Sequence, residues 1–286
     1  MANSSRRAEL DPDDPIVITP QDFEKLREFT RQRFGLDFRD GKETLITVRL
    51  RRKMREANAR SFSEYFRQVL DDSTGVQLIA MVDALTTNYT HFFREPAHFQ
   101  FLSEVVMPAI GARRRISIWS AGCATGQEPY SIVFHVAREL GMREAMGRLE
   151  VLATDISARA LQTAEMGIYN HEQTEALSPE CLKAFWLRGE NRWQGCLRVR
   201  AEVRSMVRFE RLNLMETFPR DRRFHVIFCR NVMIYFNRET QEQIVKKFAY
   251  CLEPGGYLFI GHAESLSGLD QPLKPVAPAI YRSAEG

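Results

Sequence analysis

W-S-A-G-C-A-T-G-Q-E, residues 119–128, is the stretch on which the fold turns. It overlaps R-I-S-I-W-S at 115–120, a short apolar run behind arginines that predicts a buried strand, and it opens a predicted helix over Gln127–Leu140. Strand, glycine turn and helix in that order make the place where an α/β sheet binds nucleosides. Gly122 and Gly126 permit a tight turn and a close approach of backbone to ligand. Their G-x-x-x-G spacing is not the G-x-G-x-x-G of dinucleotide binders, and no lysine–serine pair follows as in a phosphate-cradling loop. An acid, Glu128, stands in the first helical turn instead, where the helix dipole favours a carboxylate. It would repel a pyrophosphate and suit a cation. Taken alone, the turn could equally be a plain strand–helix connection.

The next strand weighs against that plain reading. L-E-V-L-A-T-D at 149–155 ends on Asp155, where Rossmann-like folds set an acid against ribose hydroxyls. A hydrogen bond to a charged group contributes about 1.5–3 kcal/mol. The competing role for Asp155 is to cap the helix that begins near Ser157. An acid after each of the two strands, with no basic residue in the glycine turn itself, points to a nucleoside without phosphates. S-adenosylmethionine (SAM), with its positive sulfonium, has that chemistry.

Farther out, strand patterns recur at 206–210, 224–229, 256–261 and 279–282, and a helix pattern covers 238–252. Strand alternating with helix predicts a doubly wound, mostly parallel sheet. Residues 180–204 break the rhythm: Trp186, Gly189, Trp193, Gly195 and the alternating L-R-V-R at 197–200 predict a small β insertion. Upstream of residue 90 there is no strand run. Helices are predicted over 20–34 behind Thr19 or Asp22, over 43–58, over 61–70 behind Ser61, and over 75–86. Pro96 suits the first position of a helix reaching about 107. The chain therefore divides into a charged, proline-rich leader at 1–15 expected to be disordered, a helical domain at 16–90, and an α/β domain at 91–286 with its β subdomain at about 180–204.

Composition excludes several classes. A net charge of +3 over 286 residues does not by itself imply a nucleic-acid partner. Five cysteines, without a C-x-x-C pair, argue against a disulfide framework or a zinc site and fit a reducing compartment. No apolar run reaches the ~20 residues of a membrane span, and the first residues lack the core of a signal peptide. These features predict a cytoplasmic protein without membrane insertion.

From T-N-Y-T-H-F-F-R at 87–94 onward, the chain resembles the CheR family of chemotaxis protein methyltransferases. The likeness recurs in order at S-A-G-C-A-T-G-Q-E-P-Y-S (120–131), A-T-D-I-S (153–157), N-L (213–214), C-R-N-V-M-I-Y-F (229–236) and G-G-Y-L-F-I-G-H-A-E-S (255–265). Gln127 stands where many members carry an acid, while Glu128 keeps the neighbouring one. The resemblance implies an all-α N-terminal domain and a Rossmann-like SAM-binding domain with an antiparallel β subdomain. It implies transfer of a methyl group from SAM, without a metal, to glutamate carboxylates of methyl-accepting receptors. It carries the cofactor contacts onto Asn88, Thr90, Arg94, Gly122, Glu128, Asp155, Asn213, Leu214, Arg230 and Asn231. With it, Arg94 is read as placing the acceptor carboxylate, or the cofactor's own, through a bidentate pair, and Tyr235 as orienting the acceptor. Asn88 and Thr90 could instead be turn residues, Asn213 a turn after its strand, Arg230 an exposed strand-end charge, and Tyr235 and Phe236 core aromatics.

Residues 44–60 hold Arg49, Arg51, Arg52, Lys53, Arg55 and Arg60 against one acid, Glu56. Within 1–90 basic and acidic side chains balance at fifteen each, so the cluster is local. Read with the resemblance, Arg49, Arg51, Arg52, Lys53 and Arg55 are a docking face for the acidic cytoplasmic helices of a receptor; read without it, they are a solvated helix face. The β insertion could add a strand from a receptor's C-terminal peptide. Two rival readings are a nucleic-acid methyltransferase, disfavoured by the lack of an N/D-P-P-Y/F string, and a SAM-binding regulator without turnover.

Overall fold

The computed structural model describes residues 18–38, 41–218 and 222–285. The expected leader at 1–15 lies outside the described residues. The chain forms two compact units, one containing residues up to Gln32 and Asp37–Thr87, the other Arg33–Leu36 and Asn88 onward.

The first unit is helical, with α1 (Pro20–Phe34, whose last two residues count with the second unit), α2 (Glu43–Glu56), α3 (Phe62–Asp71) and α4 (Val76–Leu85). Thr19 Oγ1 accepts from Asp22 N at 3.1 Å and Ser61 Oγ from Glu64 N at 3.2 Å, so hydroxyl caps start α1 and α3. Helix α2 stops at Glu56, short of the expected residue 58. Asn58 turns left-handed at φ 52°, and Asn58 and Ala59 N–H close onto the carbonyls of Arg55 and Met54. Phe23, Leu26, Ile46, Leu50, Phe62, Tyr65, Met81 and Leu85 are buried together and hold the four helices.

The second unit is a seven-stranded sheet. Its strands are β1 (Ile116–Ala121), β2 (Leu149–Asp155), β6 (Val207–Arg211), β7 (Phe224–Cys229), β8 (Leu252–Ile260), β9 (Lys274–Ala277) and β10 (Ile280–Arg282), in the order β6-β2-β1-β7-β8-β10-β9. The first five are parallel, and β10 and β9 close the edge antiparallel. Strand order turns back between β1 and β7, the switch point where such sheets bind ligands at their carboxyl ends. Helices Gln127–Leu140, Ala158–Met166 and Arg238–Cys251 connect the strands. Ile118, Val226, Phe228 and Phe259 are buried in the central strands, as a sheet covered on both faces requires.

Three departures have local causes. The helix expected from Pro96 to about 107 runs as Pro96–Phe101, one wide turn at Leu102–Val106, and Met107–Ile110. Pro108 lacks the N–H an even helix would use, and its ring crowds the preceding turn. The β subdomain begins earlier than 180: β3 (Ile168–Asn170), β5 (Cys196–Val199) and β4 (Trp186–Arg188) pair antiparallel in that order, with a helix at Pro179–Phe185 inside the expected insertion. Strand β9, K-P-V-A, follows no alternation and holds a proline, which an edge strand tolerates. Among the described residues no helix is long and apolar enough to cross a membrane.

Candidate active site

The glycine turn is stitched to the end of β2. Gly122 N and Cys123 N both donate to Thr154 O, at 2.7 and 2.9 Å, and Ala124 N donates to Asp155 Oδ2 at 2.8 Å. The other oxygen of Asp155 accepts from Ser157 N at 2.8 Å. Ser157 Oγ itself caps the following helix at Ala160 N. Asp155 therefore shapes two loops at once, and the capping role belongs to Ser157. Gly122 (φ 83°) and Gly126 (φ 95°) are left-handed, and a Cβ on Gly122 would lie 2.4 Å from Val232 Cγ2. Tyr169 of β3 donates its hydroxyl to Thr125 O at 2.7 Å, so the β subdomain buttresses the turn. Sequence reading missed Tyr169 because a three-residue strand shows no periodicity.

Glu128 meets a cation, and that cation is a side chain. Its carboxylate accepts from Ser120 Oγ and from Arg230 Nε, both at 2.7 Å. Arg230 is 6% exposed, so the alternative of an exposed strand-end charge is corrected. Its Nη1 donates to Arg94 O at 2.7 Å and to His98 Nδ1 at 3.1 Å, with Glu95 Oε2 at 3.5 Å. A buried guanidinium is tolerated only when its donors are matched, and here Glu128 takes Nε and the 94–98 segment takes Nη1. His98 must accept with Nδ1 and is neutral: burial, then the charge of Arg230, push its pKa down to about 3. Glu95 Oε2 lies 3.3 Å from Nδ1 of the ring. Glu95, His98 and His262 bring three possible metal-ligand atoms within 4.8 Å of one another. Arg230 stands against two of the three, and its charge opposes a metal ion there.

The T-N-Y-T-H-F-F-R segment is anchored from both ends. Asn88 Nδ2 donates to Ser157 Oγ at 3.4 Å, and Phe93 N to Ser131 Oγ at 2.9 Å. Phe92 is buried with its ring edge-on to Tyr169 and Trp186. Phe93 (φ 52°) and Glu95 (φ 58°) are left-handed, which costs on the order of 1–3 kcal/mol for each non-glycine residue. Arg94 lies between them, half-buried, with Nη1 3.3 Å from Tyr89 O, and Thr90 is half-buried in the same loop. Asn213 Oδ1 accepts from Met215 N at 3.0 Å, an Asx turn, while its Nδ2 donates to Arg33 O at 2.8 Å. Leu214 beside it is buried. After β7, Asn231 is left-handed at φ 59°, and its Oδ1 is buried without a partner among the described residues. Phe236 is buried, the core role weighed for it, and Tyr235 is half-buried at the end of the short turn Met233–Tyr235. Burial pushes the Glu264 carboxyl above the usual range, while main-chain N–H groups pull it back.

The basic helix α2 divides. Arg49 spends its guanidinium on Leu85 O and Thr87 Oγ1, both at 2.8 Å, and the Nε of Arg51 is buried. Arg52 and Lys53 both pair with Glu56, at 2.8 and 2.7 Å. Arg52 and Arg55 are exposed.

A parallel sheet with a glycine turn after one central strand and an acid ending its neighbour defines a Rossmann-like nucleoside-binding domain. The chain belongs to the CheR methyltransferase family: residues 88–281 match its SAM-binding domain and residues 21–86 its all-alpha domain. It is similar to the chemotaxis protein methyltransferase of Salmonella typhimurium, 38% identical, with 93% of this chain and 91% of that protein covered. The proteins of that name from Escherichia coli and Borreliella burgdorferi are each 36% identical, covering 93% of this chain and 92% and 95% of their own lengths. The chain is thus a SAM-dependent methyltransferase, and the unpartnered Asn231 acceptor fits a ligand that carries amino donors.

Proposed function

We infer that this protein esterifies glutamate side chains of methyl-accepting chemotaxis receptors, in the cytoplasm, leaving S-adenosylhomocysteine as product. The supporting observation is the buried Arg230, which donates both to Glu128 at the head of the glycine-turn helix and to the main chain of Arg94. It ties the segment proposed to place the acceptor to the glycine turn proposed to hold the nucleoside.

When bound, SAM supplies an electrophilic methyl carbon on a cationic sulfur. Asn88, Thr90, Gly122, Asp155, Asn213, Leu214 and Asn231 are the residues proposed to hold it, with the Glu128–Arg230 pair fixing their frame. The acceptor glutamate, with an ordinary pKa of ~4.3, is ionised at neutral pH and needs no general base. What the chain must supply is placement and partial dehydration of the attacking oxygen. Arg94 holds a carboxylate through its planar fork, and Tyr235 orients the acceptor. Exposed Arg52 and Arg55 on α2 draw the acidic receptor helices by charge. A receptor C-terminal peptide is proposed to dock at the β subdomain.

Incubation with methyl-labelled SAM and receptor tests this reading. Base-labile label released as methanol is the expected result. Base-stable label, or none, would remove carboxyl methylation.

A further inference from the structure

The G-H-A-E-S string at 261–265 has no part in the chemistry above, yet Glu264 is placed as no surface acid is. Its Oε2 accepts from Gly261 N at 2.6 Å and from Asn231 N at 2.9 Å, and its Oε1 accepts from Ile234 N at 3.1 Å. One carboxylate thus gathers main-chain donors from both sides of the β7–β8 carboxyl edge. Asn231 needs such a hold, because an asparagine at φ 59° costs more than an extended one unless its surroundings fix it. Gly261 completes the arrangement: a Cβ there would meet Asn231 Nδ2 at 2.6 Å and Glu264 Oε2 at 2.9 Å. The same Asn231 leaves its Oδ1 buried and unpartnered among the described residues.

We propose that Glu264 is a positioning residue that locks Asn231 left-handed and so aims its side-chain amide at the bound nucleoside. The proposal rests on the cofactor role of Asn231 given above.

Glu264→Gln tests it. The amide keeps the size but turns an NH2 toward main-chain N–H donors in either orientation, so at least one contact becomes donor against donor. Calorimetric titration with S-adenosylhomocysteine is expected to give about tenfold weaker binding, ~1.4 kcal/mol. In an Asn231→Ala background the same change is expected to cost less than about twofold, since residues acting through one another are non-additive. Gly261→Ala, which keeps the carboxylate, is expected to copy both results if the glutamine variant does not fold. Wild-type affinity in Glu264→Gln, or equal losses in the two backgrounds, overturns the proposal. Wild-type protein that gives no heat with S-adenosylhomocysteine removes the cofactor reading, and this proposal with it.

Discussion

At the residue scale, a single guanidinium does most of the organising. Arg230 looks in the sequence like a charge that ends a strand, and only the folded chain surrounds it with Glu128, Arg94 O and His98. Burial among partners, which no local pattern reports, separates the two roles. His98 carries a consequence for pH. Its folded pKa of about 3 lies below the ~6.5 of an unfolded histidine, so the unfolded chain takes up a proton that the folded chain refuses. Stability is complete above about pH 6.5 and falls as pH drops toward 3. Between pH 7.5 and 5.5 this one residue is expected to cost about 1.3 kcal/mol by linkage. Urea midpoints of wild type and His98→Gln at the two pH values read it, and an unchanged difference between them would clear His98. Arg94 gives a second prediction. Arg94→Lys keeps the charge and loses the fork, so turnover is expected to fall at least tenfold, while stability shifts by under about 1 kcal/mol. Unaltered methylation kinetics would take Arg94 out of the mechanism.

At the element scale, the sequence is most legible where periodicity is long. The helices at Gln127–Leu140 and Arg238–Cys251 and the strands β1, β2 and β7 fall within a residue or so of expectation, because their apolar spacing is set by burial in a covered sheet. Strands β3 and β9, of three and four residues, carry too little pattern to read. Yet β3 delivers Tyr169 to the glycine turn. The turn itself yields a prediction. Gly122→Ala sets a side chain in a left-handed position with its Cβ 2.4 Å from Val232 Cγ2. The expected cost is about 1–3 kcal/mol of stability, with weaker binding of S-adenosylhomocysteine. Adding Val232→Ala removes the collision but not the backbone strain, so it should restore only part of the loss. Full restoration in a thermal melt would show that sterics alone require the glycine.

At the scale of the whole molecule, the two units carry different tasks. The α/β unit matches the SAM-binding domain of its family, and the helical unit carries the basic face proposed for receptor recognition. The structure narrows that face. Arg49 is occupied with the end of α4 and Arg51 is partly enclosed, and of the five cations only Arg52 and Arg55 are exposed. Charge reversal at both, Arg52→Glu with Arg55→Glu, is expected to raise the receptor KM severalfold and to leave S-adenosylhomocysteine affinity unchanged. The KM effect should shrink as salt is added. A receptor KM indifferent to both changes would assign recognition elsewhere.

The sequence by itself determined the fold class, the two-part organisation and the family, since these follow from periodicity, glycine spacing and ordered motifs that need no partner to be recognised. Tertiary structure alone decided what each polar group faces. It set Glu128 against Arg230, kept His98 neutral, split the roles of Asp155 and Ser157, and gathered main-chain donors around Glu264. The Glu128–Arg230, His98–Arg230, Ala124–Asp155 and Asn231–Glu264 contacts join residues tens to more than a hundred positions apart, and their energies depend on burial and matched hydrogen bonds that exist only once the sheet has brought its strand ends together.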